Sequence, residues 1–281
     1  MKKLVLALAA AAAFTGSAVA ADLPARTYKA PPPPAPVANW TGCYIAGSVG
    51  YGMSDNEGSV GQFRDPVTGV VTVRSAAIDH GGRGWLAGGG GGCDYQFGLG
   101  SAGGFFGTGQ FVIGVLADGY WADIKGNRAS VSAVFGTVGG ASAQEKVDSQ
   151  WAVGGRIGWL MSPNLLTYFS GGYTQAHLSG TGSFFDPVGV VGFTGVNLPG
   201  RTVNGWFLGS GVEYQSGWIP NLTWKTEYRF SEYDRADRPE RVIATGLPNG
   251  FFNSDKLFVQ TVMTSLVYRF NFGGPSVVAK Y

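Results

Sequence analysis

The stretch from Leu222 to Ser231 alternates without a break between two kinds of side chain, and this pattern restricts the folds open to the chain. One face of an extended strand would carry Leu222, Trp224, Thr226, Tyr228 and Phe230, and the other would carry Thr223, Lys225, Glu227, Arg229 and Ser231. In a soluble sandwich the apolar face would form the core. In an outer-membrane barrel it would face lipid, with the charges in the lumen. The stretch alone predicts a strand and allows both architectures.

The N-terminal residues predict export. Lys2 and Lys3 form a short positive end, Leu4–Phe14 is apolar, and Ala18-Val19-Ala20 is the small-x-small pattern that a signal peptidase cleaves. The apolar run is too short to span a bilayer as a helix. We therefore expect a signal peptide at residues 1–20, cleaved after Ala20.

Composition favours a closed sheet over an ordinary soluble domain. The chain has 47 glycines in 281 residues, more than twice the usual share of ~7%. Glycine is costly in a packed core but suits the narrow inside of a strongly curved sheet. Removing Lys2 and Lys3 lowers the basic residues from 20 to 18, equal to the 18 acidic ones. This near-neutral balance argues against nucleic acid as a partner.

A proline-rich segment precedes the region with strand patterns. Residues 30–36 read Ala-Pro-Pro-Pro-Pro-Ala-Pro, which favours polyproline II and cannot pair within a sheet. We expect residues 21–39 to form a periplasmic tether, either a plain spacer or a contact with peptidoglycan, and residues 40–281 to form the folded barrel.

Eight alternating stretches follow the tether. They span about 40–52, 85–97, 110–124, 149–161, 165–177, 203–215, 222–231 and 256–270. Each pairs an apolar face with a small or polar one, except the fifth, whose facing the pattern leaves open. Long connections (53–84, 125–148, 178–202 and 233–254) alternate with short ones (98–109, 162–164 and 216–221). These features predict an all-β, eight-stranded antiparallel up-and-down transmembrane β-barrel with long extracellular loops and short periplasmic turns.

The predicted lumen contains charged residues. They are Asp118, Arg156, Glu213, Lys225, Glu227, Arg229 and Arg269. An eight-stranded barrel is just wide enough for its own side chains to fill, and buried charges need partners. We expect an ionic network that closes the lumen, with an ion-selective pore as the alternative.

The two cysteines fall on the outward faces of the first two strands. A hairpin that pairs Gly52 with Gly84 places Cys43 opposite Cys93 in the same register. The oxidising periplasm permits a bond between them, so we predict a cross-strand disulfide.

Nothing in the sequence predicts catalysis. The histidines are His80, in a predicted loop, and His177, at a strand end. Their spacing matches neither a metal site nor a Ser-His-Asp arrangement. Gly88–Gly92 lies within a predicted strand and lacks the GK[ST] ending of a phosphate loop. We expect neither an enzyme nor a bound metal or cofactor.

Several short motifs, taken together, resemble those of one family. They are Asp22-Leu-Pro-Ala-Arg, Asn39-Trp-Thr-Gly-Cys-Tyr-Ile-Ala-Gly47, Gly92-Cys-Asp-Tyr-Gln-Phe97, Trp121-Ala-Asp-Ile-Lys-Gly126, Gly211-Val-Glu-Tyr214, Lys225-Thr-Glu-Tyr228 and Val267-Tyr-Arg-Phe-Asn-Phe-Gly-Gly-Pro. As a set they are similar to the small porin-like outer-membrane β-barrel proteins of alphaproteobacteria. The resemblance implies a surface barrel that supports envelope integrity, in a family where some members bind haem. Barrel-assembly machinery would read a terminal aromatic residue, which here is Phe270, Phe272 or Tyr281.

These features define a leading function and two rivals. We expect a structural outer-membrane barrel surrounded by outer-membrane lipid and lipopolysaccharide. The first rival is a small diffusion porin. The second is a haem- or ligand-binding receptor acting through the loops, with contacts from Tyr233, His80 and the pairs Phe184-Phe185 and Phe251-Phe252.

Overall fold

The computed structural model describes residues 39–73, 78–99, 107–131, 140–186, 192–216 and 219–270, which contain twelve β-strands. The strands are β1 (Gly42–Arg64), β2 (Val71–Val73), β3 (Ile78–Gly98), β4 (Gln110–Val131), β5 (Gly140–Ser162), β6 (Leu165–Leu178), β7 (Thr181–Asp186), β8 (Gly192–Leu198), β9 (Arg201–Gln215), β10 (Leu222–Tyr233), β11 (Ala236–Val242) and β12 (Pro248–Phe270). The predicted signal peptide, the tether up to residue 38, Phe272 and Tyr281 lie outside the described residues. Within the described ranges, no helix is long and apolar enough to cross a membrane.

Eight of the strands close into a ring. Their order is β1, β3, β4, β5, β6, β9, β10 and β12, and β12 pairs back with β1. Every pairing is antiparallel, and the closing register sets Tyr44 opposite Arg269. The predicted eight-stranded antiparallel barrel is therefore confirmed. We call the end with the short connections (residues 99–109, 163–164 and 216–221) the turn end, and the opposite end the loop end.

The strands extend further toward the loop end than predicted. β1 continues to Arg64 and β3 starts at Ile78, so much of the predicted loop 53–84 is strand. β4 and β5 likewise stay paired from Lys125 and Lys146 to Val131 and Gly140. The prediction placed strand ends where the apolar alternation stops. Backbone pairing needs no apolar face, so the ladders continue beyond that point.

Three further strands, β7, β8 and β11, extend the wall of the ring beyond short interruptions of the strands. β7 pairs with β5 and β8, β8 pairs with β11, and β11 pairs with β12. In this order β7 extends β6, β8 extends β9, and β11 extends β10 toward the loop end. The breaks are at 179–180, 199–200 and 234–235. The predicted loops 178–202 and 233–254 are thus largely extensions of the barrel wall.

Apolar and charged side chains are distributed in the reverse of the soluble pattern. Val115, Trp85 and Trp121 are 63%, 71% and 79% exposed on the outer face, whereas Arg156 and Glu213 are buried inside at 5% and 0%. Soluble proteins bury such apolar residues and rarely bury charges without a partner. The structure also settles the facing of the fifth predicted strand: on β6, Leu166, Tyr168 and Ser170 point inward, as do Thr174 and Ala176.

Inward glycines make room for tyrosine rings in the lumen. A Cβ atom on Gly92 would lie 2.6 Å from the Tyr44 hydroxyl, and one on Gly211 would lie 2.6 Å from the Tyr168 hydroxyl. These contacts are too short for a side chain larger than hydrogen. Part of the glycine excess therefore accommodates the aromatic residues that fill the lumen.

The predicted disulfide between Cys43 and Cys93 is confirmed. The residues are direct partners in the β1–β3 register, with 3.9 Å between their Cα atoms. The bond joins the first two strands of the ring near the turn end.

Candidate functional site: the lumen

The lumen holds all seven charged residues predicted to lie there. Asp118, Arg156, Glu213, Lys225, Glu227, Arg229 and Arg269 point inward from β4, β5, β9, β10 and β12. They form two clusters, one nearer the turn end and one nearer the middle of the barrel.

The cluster nearer the turn end, called the lower cluster, consists of Asp94, Arg156, Glu213 and Arg269. Arg156 Nε donates to Asp94 Oδ1 at 2.8 Å and its Nη1 to Glu213 Oε2 at 3.1 Å. Arg269 donates to the same two carboxylates, at 2.7 Å to Asp94 Oδ2 and 2.8 Å to Glu213 Oε1. Each arginine bridges both acids, so four strands are cross-linked across the lumen.

Aromatic rings enclose this cluster. The Arg156 guanidinium lies 4.6 Å from the centre of the Tyr44 ring, and that of Arg269 lies 4.6 Å from the Trp40 ring. Trp40 itself is fully buried and packs with Leu160 and Leu166 at the turn end. Cation–π contacts strengthen in a desolvated setting such as this one.

The middle cluster is centred on Arg229. Its guanidinium donates to both carboxylate oxygens of Asp118, at 2.8 and 2.7 Å, and to Glu227 at 2.9 and 2.8 Å. The Tyr168 hydroxyl donates to Glu227 at 2.7 Å. Lys225 lies farther away, with its Nζ 3.8 Å from Glu227 Oε2. Bidentate arginine–carboxylate pairs are among the strongest polar contacts in proteins, so Arg229 fixes the spacing of β4 and β10.

The two clusters together carry no net charge. Four carboxylates (Asp94, Asp118, Glu213 and Glu227) face four cations (Arg156, Lys225, Arg229 and Arg269). Asp94 was not among the seven charged residues predicted for the network, although it is buried and pairs with both arginines of the lower cluster. Counting charges on the inward face could have identified it, because without Asp94 the cations outnumber the acids.

Apolar side chains fill the lumen on the loop side of the middle cluster. Leu86, Ile124, Tyr233, Leu257 and Val259 belong to one packed cluster. A cavity beside Lys225 and Tyr120 has a volume of about 10 Å³, room for about one water molecule. The described residues therefore leave little space for a solute to pass.

A third polar cluster lies beyond this apolar layer. Glu145 of β5 accepts hydrogen bonds from His80 Nε2 at 2.7 Å and from Arg238 Nη1 at 2.8 Å. Arg238 also donates to the carbonyls of Pro199 (2.8 Å), Ser179 (2.7 Å) and Leu198 (3.3 Å). These carbonyls lie at the strand breaks between β6 and β7 and between β8 and β9. Arg238 thus satisfies backbone groups that the breaks remove from the ladder.

The structure corrects the expected position of His80. The residue lies within β3, is buried, and is hydrogen-bonded to Glu145, because β3 starts earlier than the apolar pattern indicated. Tyr233 is also fully buried, at the end of β10. His177 is exposed on β6, with its Nδ1 3.1 Å from Thr202 Oγ1.

Of the two aromatic pairs proposed for ligand contact, only Phe251-Phe252 has described side chains. Phe252 is buried, and the Phe251 ring packs against Phe63 with 4.9 Å between ring centres. The side chains of Phe184 and Phe185 lie outside the described residues. Within the described part of the chain, no group of three or more His, Cys, Asp or Glu residues could hold a metal.

Comparisons with known proteins give distant structural similarity only. No family model and no curated protein sequence matches this chain. OprG from Pseudomonas aeruginosa is 11% identical over 84% of this chain and 100% of its own, with a TM-score of 0.40. The outer-membrane protease OmpT from Escherichia coli is 8% identical over 81% and 97%, with a TM-score of 0.39. Ail from Yersinia pestis is 13% identical over 82% and 99%, with a TM-score of 0.33. These TM-scores are all below 0.5, so the assignment of an eight-stranded barrel rests on the strand pairing within this chain.

Proposed function

We propose that this protein is a structural β-barrel of the bacterial outer membrane that supports envelope integrity and does not conduct. The observation that carries the proposal is the charge-balanced network across the lumen, in which each arginine bridges two carboxylates. A diffusion pore needs an open, water-filled lumen, whereas this lumen is occupied by side chains.

Two bands of aromatic residues support placement in a membrane. On three strands, two outward aromatic residues are separated by ten residues, with one near the loop end and the other near the turn end. The pairs are Trp85 with Tyr95, Phe111 with Trp121, and Phe258 with Tyr268. Ten residues of strand span about 33 Å, or about 25 Å along the barrel axis at the usual tilt. That height matches the apolar band of outer-membrane barrels, whose edges carry aromatic girdles.

Neither rival function has a comparable observation in its favour. A small porin would need the ionic clusters to leave a path. A haem receptor would need accessible ligands, whereas Tyr233 and His80 are buried. We likewise propose no catalytic role, because the buried carboxylates among the described residues all pair with arginine or lysine.

Three partner interactions remain part of the proposal. Outer-membrane lipid and lipopolysaccharide would cover the apolar exterior. Barrel-assembly machinery would read the C-terminal strand at Phe270, Phe272 or Tyr281, and the tether at residues 21–39 would contact peptidoglycan.

A deletion strain tests the function. Loss of the protein should increase sensitivity to detergent and EDTA while leaving the uptake of small solutes unchanged. The wild-type gene should restore resistance. The protein should also fractionate with the outer membrane and migrate faster on a gel when unheated. A deletion that instead slows solute uptake would favour the porin.

A further inference from the structure

Three cations form a row on the outward face of the barrel near the loop end. Arg83 of β3 is the register partner of Lys125 of β4, and Lys125 is the partner of Lys146 of β5. Arg83 and Lys125 are exposed and Lys146 is half-buried. Cations at directly opposed positions on neighbouring strands repel one another and destabilise the sheet. A bound anion would offset this repulsion.

Acidic neighbours compensate only part of this charge. Asp123 lies 2.9 Å from Lys125 Nζ and 3.2 Å from Lys146 Nζ, and Asp148 lies 3.1 Å from Lys146 Nζ. Among the described residues, Arg83 makes no ion pair or side-chain hydrogen bond. The guanidinium at the end of the row is therefore available to a ligand.

A groove lies beside Arg83. Its volume is about 360 Å³, and it is lined by Gly81, Gly82 and Gly126 together with Arg83, Lys125 and Gln144. The β3–β4 register ends at the Arg83–Lys125 pair, which marks the lower edge of the groove. The glycines let the neighbouring backbones approach closely beside the two cations, because a Cβ atom on Gly82 would lie 2.7 Å from the Lys125 carbonyl carbon and one on Gly126 would lie 2.2 Å from the Gly81 carbonyl oxygen.

The groove lies just beyond the aromatic band of the loop end. On β3 Trp85 lies two residues after Arg83, on β4 Trp121 lies four residues before Lys125, and both indoles are largely exposed. At about 3.3 Å per residue the groove lies roughly 7–13 Å along the strand from these indoles. Indole rings mark the boundary between hydrocarbon and headgroups, so the groove is level with headgroup phosphates.

We propose that this groove binds a phosphate group of an anionic lipid in the surrounding leaflet. The Arg83 guanidinium would donate to two phosphate oxygens, and Lys125 would add a point charge. The acyl chains would extend along the apolar wall past Trp85 and Trp121. The inference rests on the membrane placement proposed above and adds the site at which the lipid is held. A free phosphate offers the same chemistry without the apolar contacts.

Native mass spectrometry of the detergent-solubilised full chain tests the site. The probes are bisphosphorylated lipid A, its dephosphorylated form, and inorganic phosphate. The wild-type protein should retain bisphosphorylated lipid A in preference to both other probes. The double variant Arg83→Ala/Lys125→Ala should bind it about tenfold more weakly. The control Lys256→Ala, which removes an outward cation on β12 paired with Glu232, should bind as the wild type does.

Three outcomes would overturn the inference: equal retention of dephosphorylated lipid A, binding of inorganic phosphate alone, or unchanged binding by the double variant. Heat-modifiable migration of each variant shows that the barrel has folded. The double variant leaves the lumen intact, so it should stay non-conducting. If only the lipid-site inference is wrong, the binding results differ from those expected while insertion and the absence of conductance stay as proposed. If the proposed function is wrong, insertion or conductance differs from what is proposed.

Discussion

At the scale of single residues, the position of a charged side chain in this barrel determines how much its removal changes the free energy of unfolding. Arg156 is nearly fully buried and contacts Asp94 and Glu213, so its removal would leave two carboxylates with one fewer partner in a desolvated site. A buried ion pair adds little net stability over an apolar replacement of the whole set. Removing one partner is expensive because the remaining charge is uncompensated.

We predict that Arg156→Met destabilises the refolded barrel by about 3–5 kcal/mol. The matched control is Arg241→Met on β11, where the arginine is exposed and the expected change is within about 0.5 kcal/mol. Urea titrations of both variants in the same lipid vesicles measure the difference. Equal midpoints would show that the lower cluster does not hold the strands together.

On the outward face, adding a charge is expected to destabilise the barrel, whereas in the lumen removing one is. Thr226 lies mid-strand on β10, opposite Val212 and Thr264, and faces the proposed lipid. Thr226→Arg should destabilise the barrel by roughly 2–4 kcal/mol, whereas Thr202→Arg, at the loop end of β9, should cost about 0–1 kcal/mol. The same vesicle titration compares the two. If both substitutions cost the same, the depth assignment is wrong.

At the scale of strands and hairpins, the wall depends on one covalent link and on the junctions where strands break. The disulfide closes a segment with a sequence separation of 50 residues. Arg238 connects Glu145 to the carbonyls at two strand breaks. Both features hold adjacent segments in register by means that the strand ladder alone does not supply.

Removing the disulfide should weaken the first hairpin. Loop-closure entropy gives about 4 kcal/mol for a segment of this length, as an upper estimate. We predict that Cys43→Ser/Cys93→Ser lowers the urea midpoint of refolding while leaving heat-modifiable migration intact. Reduced wild-type protein should behave like the double variant, and identical midpoints in all three samples would contradict the prediction.

Removing Arg238 should loosen the loop end and spare the rest of the barrel. The Arg238→Ala variant should show faster hydrogen exchange in β8 and β11, because the carbonyls at the breaks lose their donor. Exchange in β10 and at the turn end should not change. Arg241→Ala, on the same strand but exposed, is the control. Uniformly faster exchange would indicate global destabilisation, and no change would show that Arg238 does not hold the breaks.

At the scale of the whole molecule, the sequence was sufficient for the ring but not for its extension. Side-chain alternation reports which face meets lipid, so strands were found where an apolar face exists. Beyond the apolar band, as in β7 and β8, nothing in the pattern marks a strand. The partners in the lumen were less predictable still. Facing identified Arg156 and Arg229 as inward, but the pairing of Arg156 with Asp94 depends on three-dimensional distances across the ring.

The filled lumen is the central claim, and planar-bilayer recording of the purified, refolded full chain tests it most directly. A variant with Arg156, Arg229 and Arg269 truncated to serine serves as the comparison, after heat-modifiable migration has shown that it folds. We predict that the wild-type protein inserts without opening steady channels, whereas the truncated variant conducts because the lumen has lost its largest cationic side chains. Steady, large open-channel currents from the wild-type protein would contradict the account.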